Sequence, residues 1–196
     1  MHQSTFIDAL AMRREVPLGA LRAAAVLFVA ALTAAAAQIS IPLPVTAVPF
    51  TFQPMVVLVG GLALGGTLGL ASQVVYLAAG IAGLPVFAAS ATLPPGPLRL
   101  LGPTAGYLMA YPFAALLVGY LAERGFDRRY LTSVAAMLAG LVVVYACGAL
   151  WLSVSLGPQG ALAAGVYPFI AADVVKIAAA AGVLPGLWKL LGRASR

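Results

Sequence analysis

Long apolar runs constrain this chain more than any other feature of its sequence. Only 8% of its 196 residues are charged and 63% are hydrophobic, whereas a soluble domain usually carries about 25% charged residues. This balance predicts an integral membrane protein with several spans. A span needs about 20 residues, so the length fits one compact all-α bundle of about six transmembrane helices.

The boundaries of the predicted spans follow from the apolar runs. The first is expected from about Ala23 to Ile41, and the four prolines after it predict an extended segment, because proline cannot continue a helix: Pro42, Pro44, Pro49 and Pro54. As one helix, the stretch 55–83 would be roughly 44 Å long, against a hydrocarbon core of about 30 Å. It is therefore either one steeply tilted helix or two short helices that turn near Gly65 and Gly66. Later spans are expected at about 104–122, 132–153 and 168–190.

Basic residues decide between these two alternatives. With two short helices, only Arg99 lies on one side of the membrane, and the other side holds Arg13, Arg14, Arg22, Arg124, Arg128, Arg129, Lys189, Arg193 and Arg196. One long helix would leave a nearly even distribution. Basic residues favour the cytoplasmic side, so we expect six spans with both termini in the cytoplasm. Residues 1–22 are then a cytoplasmic segment, 23–190 the membrane domain and 191–196 a cytoplasmic tail.

Several functional classes receive no support from the sequence. The net charge of +6 comes from residues at the predicted membrane edges, so it does not suggest nucleic-acid binding. Metal-binding motifs, phosphate-binding loops and nucleophile sets are absent from the predicted spans. We therefore expect no metal, no cofactor and no enzymatic activity. The single cysteine, Cys147, is expected to serve packing.

One acid and one base interrupt the last apolar run. Asp173 and Lys176 are three residues apart and so lie on the same face of a helix. An ionised group near the middle of a bilayer costs roughly 2.5–3.5 kcal/mol on insertion scales. The pair is predicted either to anchor a ligand in an outward-facing cavity or to be an ion pair that only joins helices.

Two proline-rich loops are expected on the outer face, at 42–53 and 84–103. Ordered loops of this kind often cover a site, although they can also be simple rigid caps. Arg99 in the second loop is a candidate partner for a ligand carboxylate, because its planar guanidinium suits that group. The alternative is an interfacial arginine that extends to water.

The first span is rich in small residues four positions apart, which permit close helix approach. The candidate docking residues are Ala20, Ala24, Ala30 and Ala34. They are predicted either to pack inside the bundle or to dock another membrane protein.

Several motifs together resemble the BioY family, the biotin-binding S components of energy-coupling factor (ECF) transporters. They are QISIPLPVTAVPFTFQ at 38–53, YLAAGIAGLPVFA at 76–88, GPTAGYL at 102–108 and DVVK at 173–176. GLPVFA together with GPTAGYL is distinctive, and the motifs span most of the chain. Two departures matter: Ala105 replaces a glycine that is usual in GPTGGYL, and Ala89 and Ser90 stand where many relatives carry a ligand-binding asparagine.

The resemblance implies biotin uptake across the bacterial cytoplasmic membrane by a six-helix substrate-binding subunit. Asp173 and Lys176 match the family's charged pair, which contacts the vitamin. Arg99 is the candidate for the biotin carboxylate, Ser90 for the missing asparagine contact, and Phe87 and Tyr107 for apolar walls. A membrane T component, docked on the first helix, and ABC ATPase subunits would be the partners. The alternatives are an S component for another vitamin, an intramembrane enzyme that uses Asp173, and a scaffold whose charged pair is only structural.

Overall fold

A computed structural model describes residues 5–14, 17–89 and 96–193. These residues form eight α-helices, one short hairpin and one 3₁₀ helix. In chain order the elements are α1 (Phe6–Arg14), α2 (Leu18–Gln38), β1 (Ser40–Ile41), β2 (Phe50–Thr51), α3 (Gln53–Leu64), α4 (Gly66–Ile81), the 3₁₀ helix (Pro97–Leu101), α5 (Ala105–Ala122), α6 (Tyr130–Gly165), α7 (Tyr167–Ala180) and α8 (Val183–Arg193).

The apolar helices confirm the all-helical class and a membrane protein. Within the described residues, four stretches are long and apolar enough to cross a membrane: α2, α5, α6 and the α7–α8 stretch Tyr167–Leu191. The helices α3 and α4 are also apolar but have only 12 and 16 residues. At 1.5 Å per residue they are about 18 and 24 Å long, shorter than a typical hydrocarbon core.

Gly65 divides the apolar stretch 55–83 into two short helices. Its φ of 84° lies in the left-handed region, which glycine adopts without steric cost. The next residue begins α4, and the Gly66 N–H donates to the Glu123 carboxylate at 2.8 Å. A Cβ at Gly119 would clash with the Gly65 carbonyl carbon, so α5 approaches this turn closely. Of the two alternatives, the pair of short helices is the one observed.

The remaining spans differ from the predicted boundaries in three ways. The first span, α2, begins and ends earlier than the predicted 23–41. The expected 132–153 helix continues to Gly165, with a kink at Gly157, whose φ is 69°, followed by Pro158. Proline suits the first turn of a helix, so the helix resumes after this kink. The expected 168–190 helix is two helices that meet at the turn 181–182.

The N-terminal helix α1 was not predicted. Asp8 in α1 accepts from the Arg22 guanidinium at 2.7 Å, and the rings of Phe6 and Trp188 meet edge to face at 5.5 Å. Trp188 in α8 also donates to Asp127 at 2.6 Å. These contacts gather α1, α8 and the 123–129 loop at one end of the bundle, which we name the α8 end.

The opposite end, named the hairpin end, contains β1, β2 and the 3₁₀ helix. The two strands are antiparallel, with Ser40 opposite Thr51 and Ile41 opposite Phe50. Between the two ends, α5 is the central helix: it packs against α3, α4 and α6, and Ala114, Ala115 and Val118 on it are fully buried. Small side chains let neighbouring helices approach closely in a membrane protein.

Candidate ligand-binding site

A cavity opens at the hairpin end of the bundle. The hairpin region, the 3₁₀ helix, α5, α6 and α7 all contribute side chains to it. Its volume is about 90 Å³. One water molecule requires roughly 10–15 Å³ on the same scale, so the cavity volume is several times larger. The cavity is therefore large enough for more than a single bound water.

Asp173 and Lys176 form the charged centre of this cavity. Both belong to α7, and the Lys176 Nζ lies 2.8 Å from Asp173 Oδ1. They are 5% and 8% exposed, so water screens their charges little. A buried ion pair needs further hydrogen bonds to offset its loss of solvation, and both residues have them.

The second carboxylate oxygen of Asp173 is bound by α6. The Tyr145 hydroxyl donates to Asp173 Oδ2 at 2.7 Å. Each oxygen of the carboxylate thus accepts a hydrogen bond from a different side chain. Because the two donors come from α6 and α7, the position of the carboxylate is fixed relative to both helices.

Lys176 connects α7 to the hairpin. Its ammonium donates to the Thr51 carbonyl at 2.7 Å and lies 3.5 Å from the centre of the Phe50 ring. An ammonium group has three N–H donors. Two of them donate hydrogen bonds, one to Asp173 and one to Thr51. The positive charge of the ammonium also makes a cation–π contact with the Phe50 ring. All these partners belong to the protein.

Arg99 lies in the 3₁₀ helix and lines the same cavity. It is 7% exposed, so the side chain does not extend into water. Burial lowers the pKa of the Arg99 guanidinium, but an arginine stays protonated in proteins. A permanent positive charge is therefore part of the cavity wall, far from the Asp173–Lys176 pair in sequence.

Aromatic rings form part of the apolar wall. Phe87 lines the cavity and packs edge to face on Tyr76 at 5.5 Å. Tyr107 also lines it, and its hydroxyl donates to the Gly165 carbonyl at 2.7 Å. The hydroxyl of Tyr107 is thus used to join α5 to the end of α6, and its ring is the part that faces the cavity.

A model of the BioY family matches residues 10–193. The chain belongs to the BioY family. A probable biotin transporter BioY from Pyrococcus horikoshii is 44% identical over 154 residues, which cover 79% of this chain and 87% of the relative. The biotin transporter BioY from Thermotoga maritima is 35% identical over 161 residues, 82% of this chain and 91% of the relative.

A solved structure of the same kind is also similar. The crystal structure of an S-component for biotin from an ECF-type ABC transporter superposes with a TM-score of 0.76 at 26% sequence identity. The match covers 86% of this chain and 90% of that chain. The resemblance to the BioY family expected from the sequence motifs is therefore confirmed, and so is the likeness to an S component.

The cavity brings together five of the six ligand-binding residues predicted for this BioY protein: Asp173, Lys176, Arg99, Phe87 and Tyr107. The sixth, Ser90, falls outside the described residues. Its neighbour Ala89 lines the cavity. Among the described residues, no group of three or more His, Cys, Asp or Glu side chains could hold a metal ion.

Other residues that line the cavity were not among the predicted ligand-binding residues. Tyr145 and Thr51 are the additional partners of the charged pair. Gln53 also lines the cavity, and its amide donates to the Tyr76 hydroxyl at 2.6 Å. A single tyrosine inside the apolar run of α6 is a signal that sequence reasoning had available, because a buried phenol needs a hydrogen-bond partner.

The four candidate docking alanines do not share one environment. On α2, Ala20 and Ala24 are exposed, and Ala34 is half-buried. Ala30 is 7% exposed and belongs to the core. Large apolar side chains on the same helix are exposed beside them, including Leu27 and Phe28.

Proposed function

We propose that this protein is the biotin-binding S component of an ECF-type transporter and takes up biotin across the bacterial cytoplasmic membrane. The observation that carries the proposal is the buried charged pair in the cavity at the hairpin end, in a chain whose BioY relatives are described as biotin transporters. Hydrogen bonds fix the positions of both charged groups, and charged groups in fixed positions can recognise a polar group of a ligand.

The chemistry of biotin suits this cavity. Its ureido ring offers N–H donors and a carbonyl acceptor, and an ionised Asp173 accepts hydrogen bonds only. The valerate carboxylate carries a negative charge, for which Arg99 supplies a permanent positive charge and a planar donor set. Phe87 and Tyr107 provide aromatic walls for the thiophane ring. We propose Ser90, which follows Ala89 in the sequence, as an additional polar contact.

The proposed topology has six spans with both termini in the cytoplasm. The spans are α2, α3, α4, α5, α6 and the α7–α8 stretch. The helix ends and loops at the α8 end contain nearly all the basic residues, whereas Arg99 is at the hairpin end. Because basic residues favour the cytoplasmic side, the cavity opens to the outside. Residues 1–22 and 191–196 are then cytoplasmic, and residues 23–190 form the binding domain.

Uptake requires partners with an energy source. The solved relative comes from an ECF-type ABC transporter, and we propose a membrane T component and ABC ATPase subunits for this chain. The exposed Ala20 and Ala24 on α2 are the proposed contact for the T component, with Ala30 and Ala34 supporting the helix from inside. We propose a transport role without catalytic activity, since the relatives are described as biotin transporters.

A binding experiment tests the proposal directly. The purified protein in detergent is titrated with radiolabelled biotin, and a panel of other vitamins is added as competitors. Saturable binding that only biotin competes away supports the proposal. No saturable binding of biotin, or displacement by a different vitamin at lower concentration, contradicts it.

A further inference from the structure

Tyr76 on α4 lies behind the wall of the cavity. Its side chain is 1% exposed. It contacts Gln53 and Phe87, which line the cavity, but does not line the cavity itself. We propose that Tyr76 is a positioning residue, which fixes the ring of Phe87 in the wall and thereby sets the affinity for a ligand that packs on that ring. This inference rests on the proposed biotin function, in which Phe87 is a wall for the thiophane ring.

The hydroxyl of Tyr76 connects two chain segments that reach the cavity. It accepts a hydrogen bond from the Gln53 amide at 2.6 Å and donates to the Val86 carbonyl at 3.2 Å. A carbonyl only accepts and a phenol has a single proton, so this proton is directed to Val86 and the Gln53 amide must be the other donor. The backbone beside Phe87 is thereby held to both α3 and α4.

The ring of Phe87 fits a niche on the surface of α4. Tyr76 and Gly80 are four residues apart and so lie on one face of this helix. The Tyr76 ring meets the Phe87 ring edge to face at 5.5 Å, and a Cβ at Gly80 would clash with the Phe87 ring. In a close-packed interior, a ring enclosed by a second ring and by a helix backbone has little room to move.

A second hydrogen bond holds the loop after α4 from the outside. The Gln38 amide at the end of α2 donates to the Pro85 carbonyl at 3.2 Å, in a contact that is exposed. Water competes for an exposed hydrogen bond, whereas the bond from Tyr76 to Val86 is partly buried. Loss of the Tyr76 hydroxyl should therefore let Phe87 leave its position in part of the molecules. The apparent affinity falls with the fraction that stays competent to bind.

The test uses two ligands that differ at the ring on which Phe87 packs. Biotin has the thiophane ring, whereas dethiobiotin keeps the ureido ring and the carboxylate chain but has no thiophane ring. Tyr76→Phe removes the hydroxyl and keeps the aromatic ring. Tyr130→Phe is the matched control, because its hydroxyl donates to the Ala178 carbonyl at 2.9 Å and neither residue lines the cavity. Competition against radiolabelled biotin in detergent gives both affinities, and size-exclusion chromatography gives the folded fraction.

We expect Tyr76→Phe to raise the Kd of biotin about tenfold, the scale of one lost net hydrogen bond, and that of dethiobiotin less than about threefold. Tyr130→Phe should change each less than about twofold. In a Phe87→Leu background, Tyr76→Phe should add less than about twofold for biotin, because the effects of residues that act through one contact do not add.

A second variant displaces the same ring without changing the hydroxyl. Gly80→Ala places a methyl group against the Phe87 ring, whereas alanine in a helix interior is otherwise stabilising relative to glycine. It should weaken biotin more than dethiobiotin while the protein stays folded. Gly186→Ala on α8 is its control, since a Cβ there would have open space around it. This pair carries the test if Tyr76→Phe does not insert.

A purely structural role for Tyr76 predicts a different pattern. Equal losses for the two ligands, or a loss that adds in full to that of Phe87→Leu, overturn the inference while the biotin function stands. An unchanged Kd for biotin in Tyr76→Phe at full stoichiometry overturns it as well. If the unmodified protein does not bind biotin, the proposed function fails and the positioning role fails with it.

Discussion

Neutralising Asp173 is the perturbation that most directly tests the role of the charged pair. Asp173→Asn keeps the size of the side chain but removes the charge that faces Lys176 at 2.8 Å. The ammonium, 8% exposed, would keep the Thr51 carbonyl and the Phe50 ring but lose its counter-ion. Removing one partner of a buried pair typically destabilises a protein by about 3–5 kcal/mol, so the melting temperature should fall.

The effect on binding follows from the hydrogen bond to the ligand. Hydrogen bonds to a charged group contribute about 1.5–3 kcal/mol, and about 1.4 kcal/mol corresponds to a factor of ten in affinity. Asp173→Asn should therefore raise the Kd for biotin about 10- to 150-fold. The assay is a biotin titration by calorimetry on detergent-purified protein, with the folded fraction measured by size-exclusion chromatography.

Two further variants separate charge from stability. Asp8→Asn is the matched control, since Asp8 also accepts from a cation, Arg22, but at the α8 end; such partly exposed pairs contribute about 0–1 kcal/mol. Asp173→Asn combined with Lys176→Met removes both charges. The double variant should regain much of the stability and none of the binding. An unchanged Kd for Asp173→Asn at full stoichiometry would refute the argument, because the pair would then not contact the ligand.

Three other predictions concern the remaining charges and the topology. Arg99→Lys should weaken the binding of biotin about tenfold but that of biotin methyl ester less than about twofold, because lysine lacks the paired donors that suit a carboxylate. Competition titrations with both ligands measure the two affinities. Burial raises the pKa of the Asp127 carboxyl, so the folded protein binds the carboxyl proton more tightly than the unfolded chain does. Stability should therefore fall as the pH rises from the ordinary pKa of an aspartate through the raised pKa. Melting curves at several pH values check this, and Asp127→Asn should lack this pH dependence. With Cys147 replaced by alanine, an impermeant maleimide should label Leu84→Cys but not Arg129→Cys in intact cells, and the opposite pattern would contradict the proposed orientation.

The sequence was sufficient for the parts of the fold that depend on local patterns. The helix α5 begins and ends within a residue of the predicted 104–122 span, and the glycine-rich stretch is divided at Gly65. Both features depend on apolar length and on glycine, which are visible in the linear sequence. The extension of α6 was missed because Gly157 and Pro158 indicate a helix end, whereas here they form a kink after which the helix continues. The break at 181–182 was missed although Gly182 lies in it and Pro185 follows in the first turn of α8, positions where glycine and proline commonly mark a helix end and a helix start.

The charged pair was predictable for the same reason, but its surroundings were not. Asp173 and Lys176 are three residues apart, so helix geometry alone places them together. Tyr145 is 28 residues from Asp173, and Thr51 is 125 residues from Lys176. No local pattern connects such positions. Their contacts depend on how α6, α7 and the hairpin pack, which is a property of the whole bundle.

Lys176 shows why these distant contacts matter for recognition. Its ammonium donates to Asp173 and Thr51 and lies over the Phe50 ring, so a ligand carbonyl that accepts the third N–H competes with that ring contact, and one that accepts either of the other two replaces a hydrogen bond. The bond to Asp173 is the costliest to give up, because it pairs two buried charges. The contacts to the hairpin are neutral and therefore cheaper to exchange. A ligand that engages Lys176 is thus expected to loosen the hairpin, whereas one that engages only Asp173 leaves the hairpin bound to α7.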